Sequence, residues 1–304
     1  MIRLRNFGIS RFRSPEAKRE FLKYYDIAIK FLPRPKEVID IDTSFGRARV
    51  YHFGEEENEG KTPLVLIHGH YASSYMWFLN IPSFMKKRPV YAFDMIGEPS
   101  RSFQTKPFIK SKDQAFWLEE ALGKLRLEKI HLLGASMGGW AATNYVRHYP
   151  KRVASLILLD PVFVFTSITL ETVRQFLIFQ VNKEKMLSFL LNQELDIDGV
   201  FMGKIVTTSM ENFIFRTTIQ KKIKNADLKK IRCPVLAIMA GESMLHDSDK
   251  AVKVGRETIQ NIEIENWKGA SHALNFEKDK LVNDRVNRFL KKIEENGSKS
   301  SAME

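Results

Sequence analysis

Two rhythms of apolar residues alternate along the chain. Short runs at Leu64–Ile67, Val90–Phe93, Ile130–Leu133, Val153–Leu159 and Pro234–Ala240, apolar but for His131 and Ser155, suit strands buried on both faces. Ile262–Trp267 reads as one strand more. Between the runs, apolar residues fall three and four apart, the spacing of one helix face. A helix is predicted from about Ser111 to Leu125, with Phe116, Leu118, Leu122 and Leu125 on its buried side. Others are predicted from Trp140 towards Pro150, from about Asp249 to Ile259 and from Glu277 to Glu294. Strand and helix in turn predict a parallel sheet with helices on its faces.

The ends of the pattern differ. Ser14-Pro15-Glu16 offers a serine cap, a first-turn proline and an acid, which start a helix well. Phe21, Leu22, Tyr25, Ile29 and Leu32 give that helix an apolar stripe, and Pro33 and Pro35 end it. Val38–Asp42 and Ala48–Phe53 read as an antiparallel hairpin around Gly46 at one sheet edge. From Val162 to about Lys230 the strand signal stops. Phe163, Phe165, Phe176, Phe179, Met186, Phe189, Leu190, Phe201, Met202, Phe213 and Phe215 recur there at helical spacing. This stretch is expected to be a helical cap inserted over the strand ends. The division expected is a core of residues 1–161 and 231–304, with 1–35 as an N-terminal extension, and a cap of 162–230. The polar tail after Asn296 is expected to be disordered.

Composition narrows the class without naming it. The 304 residues are 44% hydrophobic, enough for a proper core. No apolar run approaches the roughly 20 residues of a membrane span. The opening MIRLRNFGISRFR is basic but has no apolar centre, so it does not read as a secretory signal. The one cysteine, Cys233, rules out an internal disulfide and fits a reducing cytosol, so a cytoplasmic protein is expected. Net charge is +12, from 48 Lys+Arg against 36 Asp+Glu. The cations are scattered and carry no nucleic-acid motif, so nucleic acid is not expected as a partner and a solvated surface is. The seven histidines show no metal-ligand spacing.

The chemistry concentrates at Gly134-Ala135-Ser136-Met137-Gly138-Gly139, between a strand and a helix. Gly-x-Ser-x-Gly in that setting is a nucleophile elbow. A serine on so tight a turn needs small neighbours, and the two glycines let strand and helix pass close. The hydroxyl is then held clear of the sheet, beside helix-start N–H groups suited to a developing oxyanion. Upstream, Leu64–Ile67 delivers His68-Gly69-His70-Tyr71. The N–H of His70 and that of Met137 are the expected oxyanion donors. His68 reads as a turn-stabilising histidine.

The elbow, His68-Gly69, Asp94-x-x-Gly97 and Gly269-Ala270-Ser271-His272 together resemble the α/β-hydrolase family, from about Val38 to Phe289. Within it the chain resembles small bacterial serine carboxylesterases that begin with an extra helix. The resemblance implies an α/β-hydrolase fold with a mostly parallel eight-stranded sheet. It implies Ser136 as nucleophile, His272 as general base, a small uncharged ester as substrate, and no cofactor or metal. A serine at the elbow, in place of an aspartate, argues against dehalogenase and epoxide hydrolase chemistry. The family's acid usually stands three residues after the glycine ending the strand before last, and here that residue is Met244. Asp160 in Leu-Asp-Pro is the first choice to replace it, with Asp247 and Glu242 as alternatives. A weakly active or inactive protein binding a small apolar ligand under its cap is the competing reading.

Overall fold

The computed structural model describes residues 8–169, 172, 174, 197–216 and 220–301. Eight strands form the main sheet path. In chain order they are β2 (Glu37–Thr43), β3 (Gly46–Phe53), β4 (Leu64–Ile67), β5 (Val90–Phe93), β7 (Ile130–Ala135), β8 (Val153–Leu159), β10 (Val235–Ala240) and β11 (Ile262–Trp267). Across the sheet they run β11-β10-β8-β7-β4-β5-β3-β2, and the two-residue β6 (Phe103–Gln104) adds to β3. β2, β3 and β5 pair antiparallel, and every pair from β5 to β11 is parallel. The expected fold class and the edge hairpin are both present.

The described helices are α1 (Pro15–Ile29), α2 (Ile81–Phe84), α3 (Ser111–Lys124), α4 (Met137–His148), α5 (Ile197–Asn212), α6 (Asn225–Leu228), α7 (Ser248–Thr258), α8 (Leu274–Glu277) and α9 (Asp279–Ser301). Side-chain alternation along each central strand feeds two separate cores. Val65, Ile67, Leu132, Leu156 and Ala237 face Trp117 and Leu118 of α3, Trp140 and Tyr145 of α4, and Ala251 of α7. Leu64, Leu66, Leu133, Ile157 and Leu236 face Phe21 and Tyr25 of α1, and Val282, Val286 and Phe289 of α9. Both faces are therefore covered, which is why these strands read as nearly continuous apolar runs.

The N-terminal extension is bound into this frame. Ser14 caps α1 through the Ala17 N–H, and Pro15 opens the first turn, as its sequence predicts. Tyr25, fully buried, donates to Asp94 Oδ2 at 2.5 Å and lies 2.7 Å from the Tyr51 hydroxyl. Asp94 in turn accepts from the N–H and hydroxyl of Ser74, at 2.9 and 2.7 Å. α1 thus anchors the segments leaving β4 and β5.

Three expectations change. Phe116 is 41% exposed, and its neighbour Trp117 takes the buried side of α3. Residues 297–301 continue α9, with no proline to stop it, where a disordered tail is expected. The closing helix also starts earlier, as the short α8 before α9. Of the expected cap, Phe176, Phe179, Met186, Phe189 and Leu190 lie outside the described residues. In its described part, α5 packs along α1. Phe213–Ile214 then forms a short strand, β9, antiparallel to β1 (Arg11–Phe12) and apart from the main sheet. Edge contacts of Phe213 with Phe12 and Phe215 join this pair.

Candidate active site

The elbow is built by close backbone approach. Ser136 stands at φ 53° and ψ −121°, between β7 and the first residue of α4. Its N–H donates to Leu159 O at 2.9 Å, and its carbonyl accepts from Gly139 and Val162. A Cβ on Gly134 would fall 2.3 Å from Gly138 O, and one on Gly138 would fall 2.2 Å from Ile67 O. Glycine is therefore required at both positions. Gly69, just after β4, lies against the serine: a Cβ there would sit 3.3 Å from Ser136 Cβ. His70 is the next residue, and Met137 opens α4, where a first-turn N–H has no acceptor within the helix.

His272 reaches the elbow from the loop between β11 and α8. Glu277 holds that loop by accepting the Ser271 N–H at 2.5 Å and the Ser271 hydroxyl at 3.0 Å. The Ala270 carbonyl accepts the Glu242 N–H at 2.9 Å, tying it to the turn after β10. The imidazole Nε2 lies 2.8 Å from Ser136 Oγ and its Nδ1 lies 2.6 Å from Asp160 Oδ2. An ionised carboxylate only accepts, so Nδ1–H donates to Asp160. Nε2 is then the acceptor for the serine hydroxyl.

Asp160 follows β8 directly, at φ 40°, with no exposed surface. Its Oδ1 accepts from the Ala240 N–H at 2.9 Å and from His246 Nε2 at 3.0 Å. Its Oδ2 accepts from the Ser243 hydroxyl at 2.7 Å besides His272. Burial pushes its pKa up, but the hydrogen bonds from His246 and His272 outweigh this and hold it well below the carboxylate range.

The other candidates lie elsewhere. Asp247 caps α7 through the Lys250 N–H at 2.9 Å and is exposed. Glu242 is exposed, and Met244 is 47% exposed on the same loop. His68 is fully buried: its Nδ1–H donates to Gly69 O, and its Nε2 accepts the Met95 N–H at 2.9 Å. Burial lowers its pKa, so it is a neutral strut in the turn, as its sequence position predicts.

Sequence reasoning missed three groups. His246 and Ser243 bring donors to Asp160, and Glu98 brackets the His70 turn. Glu98 lies 2.7 Å from His70 Nδ1 and accepts the Tyr71 N–H at 3.1 Å. Only the position of Glu98 beside Gly97 in the Asp94-x-x-Gly97 motif hinted at such a role. No pattern marked the other two.

Comparison with known proteins fits this architecture. A model of the alpha/beta hydrolase fold family matches residues 62–212. A Bacillus subtilis protein named uncharacterized carboxylesterase nap is 28% identical over 91% of this chain and 95% of its own length. Carboxylesterase YbfK of the same organism is 25% identical over 92% and 96%. The crystal structure of naproxen esterase from Bacillus subtilis superposes with a TM-score of 0.83 at 26% identity, over 91% of this chain and 99% of that one. This chain has the α/β-hydrolase fold and resembles small bacterial carboxylesterases.

Proposed function

We propose that this protein is a serine hydrolase that cleaves carboxylic esters of small apolar substrates through an acyl-enzyme. One observation carries the reading: a single imidazole spans the elbow serine and a buried carboxylate, at 2.8 and 2.6 Å. Its likeness to carboxylesterases along nearly the whole chain supports the choice of esters.

In this mechanism Ser136 Oγ attacks the ester carbonyl as His272 Nε2 takes its proton. The new oxyanion is stabilised by the N–H groups of His70 and Met137. Collapse breaks the bond to the alcohol, which leaves with the proton from His272. Water then attacks the acyl-Ser136 ester, again losing a proton to His272, and the acid departs. Asp160 holds Nδ1–H in place and offsets the charge on His272 while it is imidazolium. No redox step or external group is required by this sequence. Burial raises the thiol of Cys233 to about 11, so it stays unreactive. A lone thiol of this kind suits the cytoplasm.

Hydrolysis of short p-nitrophenyl esters tests the proposal. Wild type is expected to turn them over, and Ser136→Ala to lose roughly 10⁴-fold or more in kcat. Equal slow release by both would favour a ligand-binding protein without catalysis.

A further inference from the structure

We infer that His246 is a positioning residue: as a hydrogen-bond donor it fixes the Asp160 carboxylate in the orientation that grips His272. The inference rests on the triad reading above.

The buried carboxylate has two oxygens with different duties. Oδ2 serves His272, at 2.6 Å, and also accepts the Ser243 hydroxyl. Oδ1 points the other way and is held by the Ala240 N–H and by His246 Nε2. Asp160 itself sits at φ 40°, a backbone region that L residues rarely adopt. Its main chain is pinned by its N–H to Ile238 O at 2.8 Å. Rotation about Cβ–Cγ is what remains to be fixed, and a donor to each oxygen fixes it. Among the described residues His246 supplies the one side-chain donor to Oδ1. Its side chain is 1% exposed, so its place is held by packing. Ser243, by contrast, is only half-buried on the turn after β10.

Nε2–H donates to Asp160, while Nδ1 finds no hydrogen-bond partner among the described residues. A glutamine amide can present an N–H in the same place, whereas a phenyl ring cannot.

Steady-state hydrolysis of p-nitrophenyl esters by His246→Phe, His246→Gln and Ser136→Ala, beside wild type, tests this. His246→Phe keeps a ring and loses the donor. It is expected to lose about tenfold or more in kcat with KM within about twofold, because misorienting the acid damages the transition state and spares substrate binding. His246→Gln is expected to stay within about threefold of wild type. A His246→Phe enzyme that melts like wild type and keeps its kcat overturns the inference. So does a His246→Gln enzyme that falls as far as His246→Phe. Should His246→Phe not fold, His246→Leu replaces it, with the same loss expected and the same retention overturning. Ser136→Ala separates the two levels. If it is inactive while His246→Phe is unimpaired, only this inference falls. If it matches wild type, the triad reading falls and takes this inference with it.

Discussion

Asp160 is a fully buried charge satisfied by four donors, and each donor comes from chain far from it in sequence. That arrangement separates it from the carboxylates that sequence proximity also offered. Asp247 spends its side chain on the first turn of α7. Asp160→Asn is therefore expected to lower kcat by about 10⁴, since an amide cannot offset an imidazolium and favours the wrong tautomer. Asp247→Asn is expected to leave kcat within about twofold and stability within about 0.5 kcal/mol, because an asparagine oxygen can accept the same Lys250 N–H and cap α7 in its place. Ester kinetics and urea unfolding of the two variants check both halves. At the same scale, Tyr25→Phe leaves Asp94 with Ser74 but removes its shortest donor. Loss of about 1–3 kcal/mol is expected, read from the urea midpoint at constant slope.

At the scale of elements, the join of β7 to α4 is governed by glycine. Gly138→Ala would press a methyl group onto Ile67 O and His68 O, at 2.2 and 2.4 Å, both main chain. Neither atom can swing aside, so a cost of about 1–3 kcal/mol or more is expected, with loss of ester turnover as the elbow distorts. Gly123, near the end of α3, meets nothing within 4 Å. Gly123→Ala is expected to stabilise by about 0.5–1 kcal/mol, because only the helix entropy term changes. Urea unfolding of the pair distinguishes space from propensity as the reason for each glycine. The loop from Gly241 to Asp247 shows a different logic. It approaches the histidine's partner from the sheet end, yet brings donors, Ser243 and His246, where a third-position acid was expected.

These contrasts explain what the sequence makes legible. Strands such as Leu64–Ile67 and helices such as Ser111–Lys124 are written in local periodicity, so their existence follows from side chains alone. The elbow is legible because strand, small residues and helix adjoin in the chain. Asp160 lies 112 positions from His272, and their meeting depends on β8, β10 and β11 lying side by side. Three carboxylates near strand ends therefore remained open until the sheet order was known. His246 was illegible for the same reason, because a histidine beside a carboxylate leaves no periodic trace. Small polar residues past Asn296 predict a disordered end, whereas α9 carries them as helix through Ser301.

For the whole molecule, buried histidines make stability depend on acid. His131 is 1% exposed in β7, with its Nδ1 2.8 Å from the Ser155 hydroxyl. Burial, helped by nearby Arg88, lowers its pKa to about 3. Glu294, 4.0 Å from its Nε2, is already engaged by Arg88. The folded pKa lies below the unfolded 6.5, so this stabilisation is complete above 6.5 and is lost as pH falls towards 3. The loss is about 1.4 kcal/mol per pH unit, or roughly 2 kcal/mol at pH 5. Urea unfolding at pH 7.5 and 5 should show wild type losing about that much more than His131→Asn, which has no proton to gain. No described helix is long and apolar enough to cross a membrane. The surplus of cations, 48 against 36, leaves this acid response in place, since added positive charge only increases repulsion.

The central claim is that His272 activates the Ser136 hydroxyl. Intact-mass spectrometry after brief exposure to a fluorophosphonate reads it directly. A single adduct is expected on wild type, mapped to Ser136, with none on Ser136→Ala and almost none on His272→Ala. An adduct that forms equally fast on all three proteins, or a wild type that stays unmodified, would contradict it.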